Sequence, residues 1–248
     1  MMNKSFAIIM PAYNAIRTIE KSIESVLSQS YKDWVLYIIE DCSSDSTFSL
    51  ISKYKSHDNI KILKNEINLG AAGSRNKGIE LCSEDIISFI DSDDVWHPDK
   101  LQLQFAEISK GNLFLITSYN YVGRESNLVQ YDKDILTRED FLKKKFRVCF
   151  SSLCYAPIGK KVFFEDVGHE DFIYINEIFN IHDACNVIRE PMVSYHVTEG
   201  SLSSNKIVAA KWHYKALDKI FKNKINVLYY FVFYVMNAIK FTRSVKKQ

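Results

Sequence analysis

Four short apolar runs, Phe6–Met10, Trp34–Ile39, Ile60–Leu63 and Ile86–Ile90, are separated by stretches of helical periodicity. Each run is too short for a helix and stops at a polar turn, which is how a buried strand reads. Between the first two, Ile16, Ile19, Ile23, Val26 and Leu27 recur at helical spacing, so an amphipathic helix is predicted over Ala15–Gln29. Gly70–Leu81 reads as a loop and helix leading into the fourth strand. Strands that alternate with helices pair in parallel through crossovers. The fold class is therefore α/β, a Rossmann-like, mostly parallel sheet flanked by helices on both faces.

The second half is less regular. Phe114–Tyr119 reads as a strand, and the Thr137-x-x-Asp140 spacing predicts a helix that continues through Lys143–Lys145. Asp171–Asn180 reads as helical and Asn186–His196 as extended. The chain has 248 residues, 47% of them hydrophobic, enough for one large core. We divide it into a domain over residues 1–205 and a helical tail over 206–248.

Charge sets the tail apart. Ten of the 32 lysines and arginines follow Asn205, against one acid, Asp218, of the 30 in the chain. An acidic body with a basic tail points the tail at an anionic surface. Within the tail, Ile225–Ile239 is apolar except for two asparagines. Its fifteen residues fall short of the roughly 20 that cross a bilayer. A core or dimer helix, a helix lying in the membrane interface and a tilted span are the three readings open to it. The apolar run before Pro11, Phe6–Met10, is only five residues long, too short for a secretion signal, so a cytoplasmic chain is expected. Five cysteines without CxxC spacing indicate neither a disulfide framework nor a zinc site.

Ligands of such sheets bind beyond the carboxyl ends of the strands. Three polar loops stand there: Pro11-Ala12-Tyr13-Asn14, Glu40-Asp41 and Asp91-Ser92-Asp93-Asp94. His97-Pro98-Asp99 then predicts a helix start. Three carboxylates within four residues repel one another. Mg2+ or Mn2+, which prefers carboxylate oxygens and bridges to phosphates, would offset that repulsion. A polar turn that caps the next helix is the plain alternative. Transfer of a sugar from a nucleotide would use such a site in three ways. The nucleotide is held, a cation neutralises the leaving diphosphate, and a general base takes the acceptor's proton.

The stretch IIMPAYNAIRTIEKSIESVLSQSYKDWVLYIIEDCSSDST, then NLGAAGSRNKGI, then ISFIDSDDVWHPDKL, resembles the family 2 glycosyltransferases of the GT-A fold. The resemblance is strong over about residues 5–105 and looser over 155–205. It implies a nucleotide-binding half, 1–105, and an acceptor and catalytic half, 106–205. By this resemblance Pro11, Ala12 and Tyr13 lie against the nucleotide base, and Asp41 holds a uracil ring. Glu40-Asp41 stands where the family has paired aspartates, and Cys42 where it has glycine. Arg75 matches an arginine near the diphosphate; a surface arginine paired with a neighbouring acid is its bland alternative. Asp91 and Asp93 match the metal motif, with Ser92 between them at the donor and Asp94 assisting. Gly168-His169-Glu170-Asp171 matches the pair that carries the general base. Asp171 is the expected base and Glu170 its companion, against a reading as ordinary acids at a helix start. Tyr195–Ser203 resembles a segment that closes over the diphosphate and makes His196 a third metal ligand or a structural histidine.

The resemblance thus implies a metal-dependent, inverting hexosyltransferase of the bacterial surface-polysaccharide (O-antigen or capsule) type. It would move one sugar from a UDP-sugar to a hydroxyl of a lipid-linked intermediate. No QxxRW motif is present, which argues against a processive synthase. The expected cofactor is Mg2+ or Mn2+. The expected partners are the nucleotide-sugar donor, a lipid-linked glycan acceptor, an anionic membrane at the inner face and a second copy of the chain, and no nucleic acid. Transfer to a polyprenyl phosphate, whose acceptor is already anionic, and a non-catalytic nucleotide-sugar binding module are the competing readings.

Overall fold

The computed structural model describes residues 4–123, 127–165, 167–196 and 206–245. Its first half runs β1 (Phe6–Ala12), α1 (Ile19–Leu27), β2 (Trp34–Glu40), α2 (Thr47–Ile51), β3 (Ile60–Lys64), α3 (Gly70–Leu81), β4 (Ile86–Phe89). Then follow β5 (Val95–Trp96), α4 (Lys100–Ser109), β6 (Phe114–Val122), β7 (Asn127–Val129), β8 (Ile135–Thr137), α5 (Arg138–Leu142) and β9 (Cys154–Tyr155). The chain closes with α6 (Glu170–Phe179), β10 (Ala184–His196), α7 (Lys206–Ile220) and α8 (Lys224–Val245).

The ten strands form one sheet in the order β3-β2-β1-β4-β9-β6-β10-β5, with β7 on β6 and β8 on β10. The first four strands are parallel, in registers that begin at Phe6↔Trp34, Phe6↔Ile86 and Leu36↔Ile60. The other long ladder, β6 with β10, is also parallel. Short antiparallel pairings through β5, β7, β8 and β9 complete the sheet and make it mixed. Strands of two or three residues carry no readable periodicity, which is why none of these four was predicted. Phe6–Met10, Leu36 and Ile38 are fully buried, as a strand covered on both faces requires. One helix lies close because of a glycine. A Cβ on Gly78 of α3 would stand 2.7 Å from the Ile9 side chain and 3.0 Å from that of Ile39.

Several predicted boundaries move, each for a local reason. β1 continues through Pro11, which lacks an N–H, because β4 ends at Phe89 opposite Ile9 and leaves that edge open. α1 starts at Ile19 rather than Ala15, whose N–H is taken by Thr47 Oγ1 at 2.8 Å. Pro98 precedes α4 instead of opening it, since the His97 N–H goes to Met192 O of β10. Thr137 and Asp140 do form a capping box, but α5 ends at Leu142, and Lys144 sits in the left-handed region at φ 51°. The basic run Lys143–Lys145 is therefore a turn.

The tail is two helices packed together. Ala216, Leu217 and Val227 are buried in the same core as the sheet. Tyr230 donates to Glu139 at 2.6 Å, and Asn237 Nδ2 donates to Lys143 O at 2.8 Å. The opposite face of α8 leaves Ile225, Leu228, Tyr229, Val232 and Met236 exposed at helical spacing. Among the described residues no helix is long and apolar enough to cross a membrane.

Candidate active site

Since β1, β2 and β4 are neighbours, their three following loops meet at one edge. The first two are laced together. The Asp41 N–H donates to Ala12 O at 2.9 Å, the Asn14 N–H to Ser43 Oγ at 3.0 Å, and the Ser44 N–H to Asn14 Oδ1 at 2.8 Å. Asn14 and Cys42 both take the left-handed conformation, at φ 48° and 60°. That backbone explains why a glycine suits position 42. Pro11 is partly covered and Ala12 buried, while Tyr13 is 53% exposed and offers an open ring face. Asp41 is buried. Its Oδ1 accepts from Asn65 Nδ2 and from the Leu69 N–H, each at 2.8 Å, so it also orders the loop before α3. Glu40, likewise buried, accepts from the Ser43 N–H at 2.5 Å.

The acidic loop is divided by role. Asp94 is buried at the loop's base, where its two oxygens accept from Ser151 Oγ and from the His196 N–H. Ser151 also accepts from the Asp91 N–H at 3.0 Å, and its carbonyl accepts from Trp96 Nε1 at 2.9 Å. Asp94 therefore pins the loop to β10 and to the 3-10 turn Phe150–Ser152. Burial and the neighbouring Asp91 push its carboxyl well above the ordinary range. Asp91, Ser92 and Asp93 stay partly open. Burial raises the Asp93 carboxyl, Asp91 adds to this, and His196 gives a partial counterweight.

Arg75, on α3, joins the two halves. Its Nη2 donates to Asp91 Oδ1 at 2.7 Å and its Nη1 to Asp171 Oδ1 at 3.1 Å. Only 5% of its side chain is exposed, so the surface-arginine alternative is corrected. The guanidinium lies over Phe150 and Phe164, 4.6 and 5.3 Å from their ring centres, and is fixed in plane by them. The candidate metal loop and the candidate base thus share one cation, although Arg75 and Asp171 are 96 residues apart.

Asp171 and Glu170 open α6 and are both partly exposed. Burial raises the Asp171 carboxyl to about 6, Arg75 opposes this, and Asp91 and Glu170 add to it. Half of the side chain is open to the site, so water screens part of that effect. A half-exposed carboxylate of raised basicity is suited to accept a proton near neutral pH.

His196 reaches the loop through its backbone N–H, and its ring Nδ1 is buried with no hydrogen-bond partner among the described residues. Among those residues no three His, Cys, Asp or Glu side chains close into a metal cage. One reason is visible: Asp91 is turned toward Arg75. Asp91 and Asp93 still fit a hard cation, which takes one or two carboxylates and completes its shell from substrate phosphate oxygens. The rest of the predicted closing segment, 197–203, lies outside the described residues.

Residues 7–167 match the family described as glycosyl transferase family 2. The chain belongs to that family. Another glycosyltransferase, WfgD of Escherichia coli, is 32% identical over 94% of this chain and 93% of its own length. Its name is UDP-Glc:alpha-D-GlcNAc-diphosphoundecaprenol beta-1,3-glucosyltransferase. The GT-A fold is shared with TarS of S. aureus, solved in complex with UDP-GlcNAc. The TM-score is 0.71 at 20% identity, over 87% of this chain and 66% of that one. A mannosyltransferase of Pyrobaculum calidifontis, solved with GDP-Man and Mn2+, has a TM-score of 0.67 at 15% identity, over 90% of this chain and 65% of that one.

The candidate site also includes residues that no motif announced. Ser151, Phe150 and Phe164 pack under Arg75 and the acidic loop, yet they lie in a short 3-10 turn and a loop of ordinary composition. Two successive serines before a strand gave no signal that one of them anchors Asp91 and Asp94.

Proposed function

We propose that this glycosyltransferase moves one hexose from a uridine diphosphate sugar to a hydroxyl of a lipid-diphosphate-linked glycan, with inversion at the anomeric carbon. The carrying observation is the Arg75 bridge, in which one guanidinium pairs with both Asp91 of the acidic loop and Asp171. The donor's diphosphate would lie over the acidic loop and Arg75, with the uracil on Tyr13 and beside Asp41. Asp171 would take the acceptor's proton as its oxygen attacks the anomeric carbon. The bond to the β-phosphate then breaks and its electron pair leaves with UDP. Attack from the side opposite the leaving group inverts the centre. Asp93 and Asp91 would hold a divalent cation that, when bound, neutralises charge on the leaving diphosphate. The name of WfgD supports the donor and acceptor classes, and the TarS complex supports a UDP-sugar. Intact acids on both sides of Arg75, Asp91 and Asp171, favour catalysis over a binding module.

The donor is tested by a screen of sugar nucleotides for turnover, together with calorimetry of UDP and GDP. UDP is expected to bind at least tenfold more tightly than GDP, about 1.4 kcal/mol. Asp41→Ala should erase that preference. Because Asp41 also orders Asn65 and Leu69, equal weakening of both nucleotides would mean that it only shapes the loop. Tighter binding of GDP would overturn the UDP assignment.

The exposed face of α8 is the proposed membrane contact. Leu228, Tyr229, Val232 and Met236 form an apolar stripe, and Lys222 and Lys224 are exposed at its start. Apolar insertion and roughly 1 kcal/mol per basic residue near an anionic surface act together in such helices. The double substitution Leu228→Asp, Val232→Asp changes only this outer face. It should abolish sedimentation with anionic vesicles while leaving UDP binding intact. Vesicle binding equal to that of the unaltered chain would disprove the contact.

A further inference from the structure

The turn that delivers Asp171 is poorly supported by its own residues. Gly168 and His169 are both left-handed, at φ 66° and 62°, and the second is not a glycine. His169 occupies the cap position of α6 but makes no side-chain cap hydrogen bond. Such a conformation persists only where tertiary contacts over-determine it.

Those contacts come from the C-terminal helices. A Cβ added to Gly168 would stand 3.2 Å from Trp212 Cδ1 of α7, so the indole lies directly on the turn. The His169 ring meets His213 edge-on at 5.2 Å and stacks on Phe172 at 5.5 Å. His213 is fully buried; it packs against Phe172 at 4.6 Å and is stacked on Tyr234 of α8 at 4.2 Å. Burial pushes His213 down to about 2 and His169 to about 3, so both are neutral aromatic surfaces at working pH. Neither nitrogen of His213 has a partner among the described residues. This histidine contributes shape rather than hydrogen bonds.

We infer that Trp212 and His213 are positioning residues for Asp171: the C-terminal hairpin clamps the Gly168–His169 turn and thereby aims the base. The inference rests on the reading of Asp171 as the base. It gives the tail a task inside the active site, separate from any contact with a membrane.

The test uses full-length Trp212→Ala, His213→Ala and His213→Phe, with Asp171→Asn in parallel. Misplacing a catalytic group by about an ångström costs up to roughly a hundredfold. The two alanine variants should lose tenfold to a hundredfold in kcat, with KM for donor and the affinity for UDP within about twofold of normal. Hydrogen exchange should quicken at the amides of residues 170–173 and stay unchanged in β1 and β2. His213→Phe keeps the ring and should restore kcat. Unchanged kcat in the alanine variants, or loss of UDP affinity together with faster exchange throughout the sheet, would overturn the inference. Asp171→Asn with full turnover would remove the base reading by itself, and the exchange data would still report whether α7 holds the turn.

Discussion

Asp171→Asn is expected to lower kcat by roughly 10² or more while UDP binding stays near normal. The change keeps the volume of the side chain and a hydrogen-bonding oxygen for Arg75, but it cannot accept a proton. A hydroxyl acceptor is too weakly acidic to ionise unaided at neutral pH, so the loss falls on the chemical step. The pH profile gives a second check. Burial raises the Asp171 carboxyl to about 6, helped by Asp91 and Glu170 and opposed by Arg75 and Lys144. The base works ionised, so kcat should be level above that value and fall tenfold per unit of pH below it. Asp171→Asn should lose this acid limb. Glu170→Gln, which leaves Asp171 in place, should act mainly on KM for acceptor. Should Asp171→Asn keep its turnover while Glu170→Gln loses it, Glu170 is the base. If Asp171→Asn keeps both turnover and acid limb with a polyprenyl phosphate acceptor, the reading of transfer to an anionic oxygen replaces ours.

Asp93→Ala is expected to reduce transfer by about a thousandfold at any practical Mg2+ or Mn2+ concentration, the scale of several kcal/mol of charge stabilisation. EDTA should do the same to the unaltered enzyme, and either cation should restore it. The reasoning is electrostatic. Asp93 is partly buried beside Asp91, and both burial and that neighbour disfavour its charge. Arg75 answers for Asp91 and Asp171, not for Asp93. A carboxylate left in that position is stabilised once a divalent ion and a diphosphate arrive together. Asp91→Ala should be severe but milder than Asp93→Ala, because Asp91 also serves Arg75. Transfer that is indifferent to EDTA, or an Asp93→Ala enzyme near its normal rate, would remove the metal from the account.

Much of this was legible in the chain. The apolar runs located the parallel strands, and the polar residues closing them located the loops. Position 42 is instructive: a cysteine stands where the family has glycine, and the left-handed backbone there shows what the glycine is for. Other features depended on distance. Nothing near Arg75 in sequence announces Asp171, and nothing near Ser151 announces Asp94. The apolar stretch of α8 was ambiguous because it serves two faces. Val227 is buried in the core while Leu228 and Val232 lie open, and a hydropathy average over the segment merges the two.

The sheet order has a consequence for how the protein is made. β5 follows directly on the acidic loop, yet its strand partner is β10, which ends at His196. The His196 N–H that satisfies Asp94 is 102 residues away along the chain. Contacts of such high sequence separation are closed late, since the chain entropy of the intervening loop must be lost first. During synthesis the strands β1 to β4 can pair while the acidic loop still lacks its anchor. The three polar loops of the candidate site are all present in a fragment that ends where the family match ends, at residue 167, but β10 is not. A fragment cut there would carry the sequence signature of the enzyme with its acidic loop untethered. Expression boundaries for this chain therefore belong after the C-terminal helices, not at the edge of the recognisable motifs.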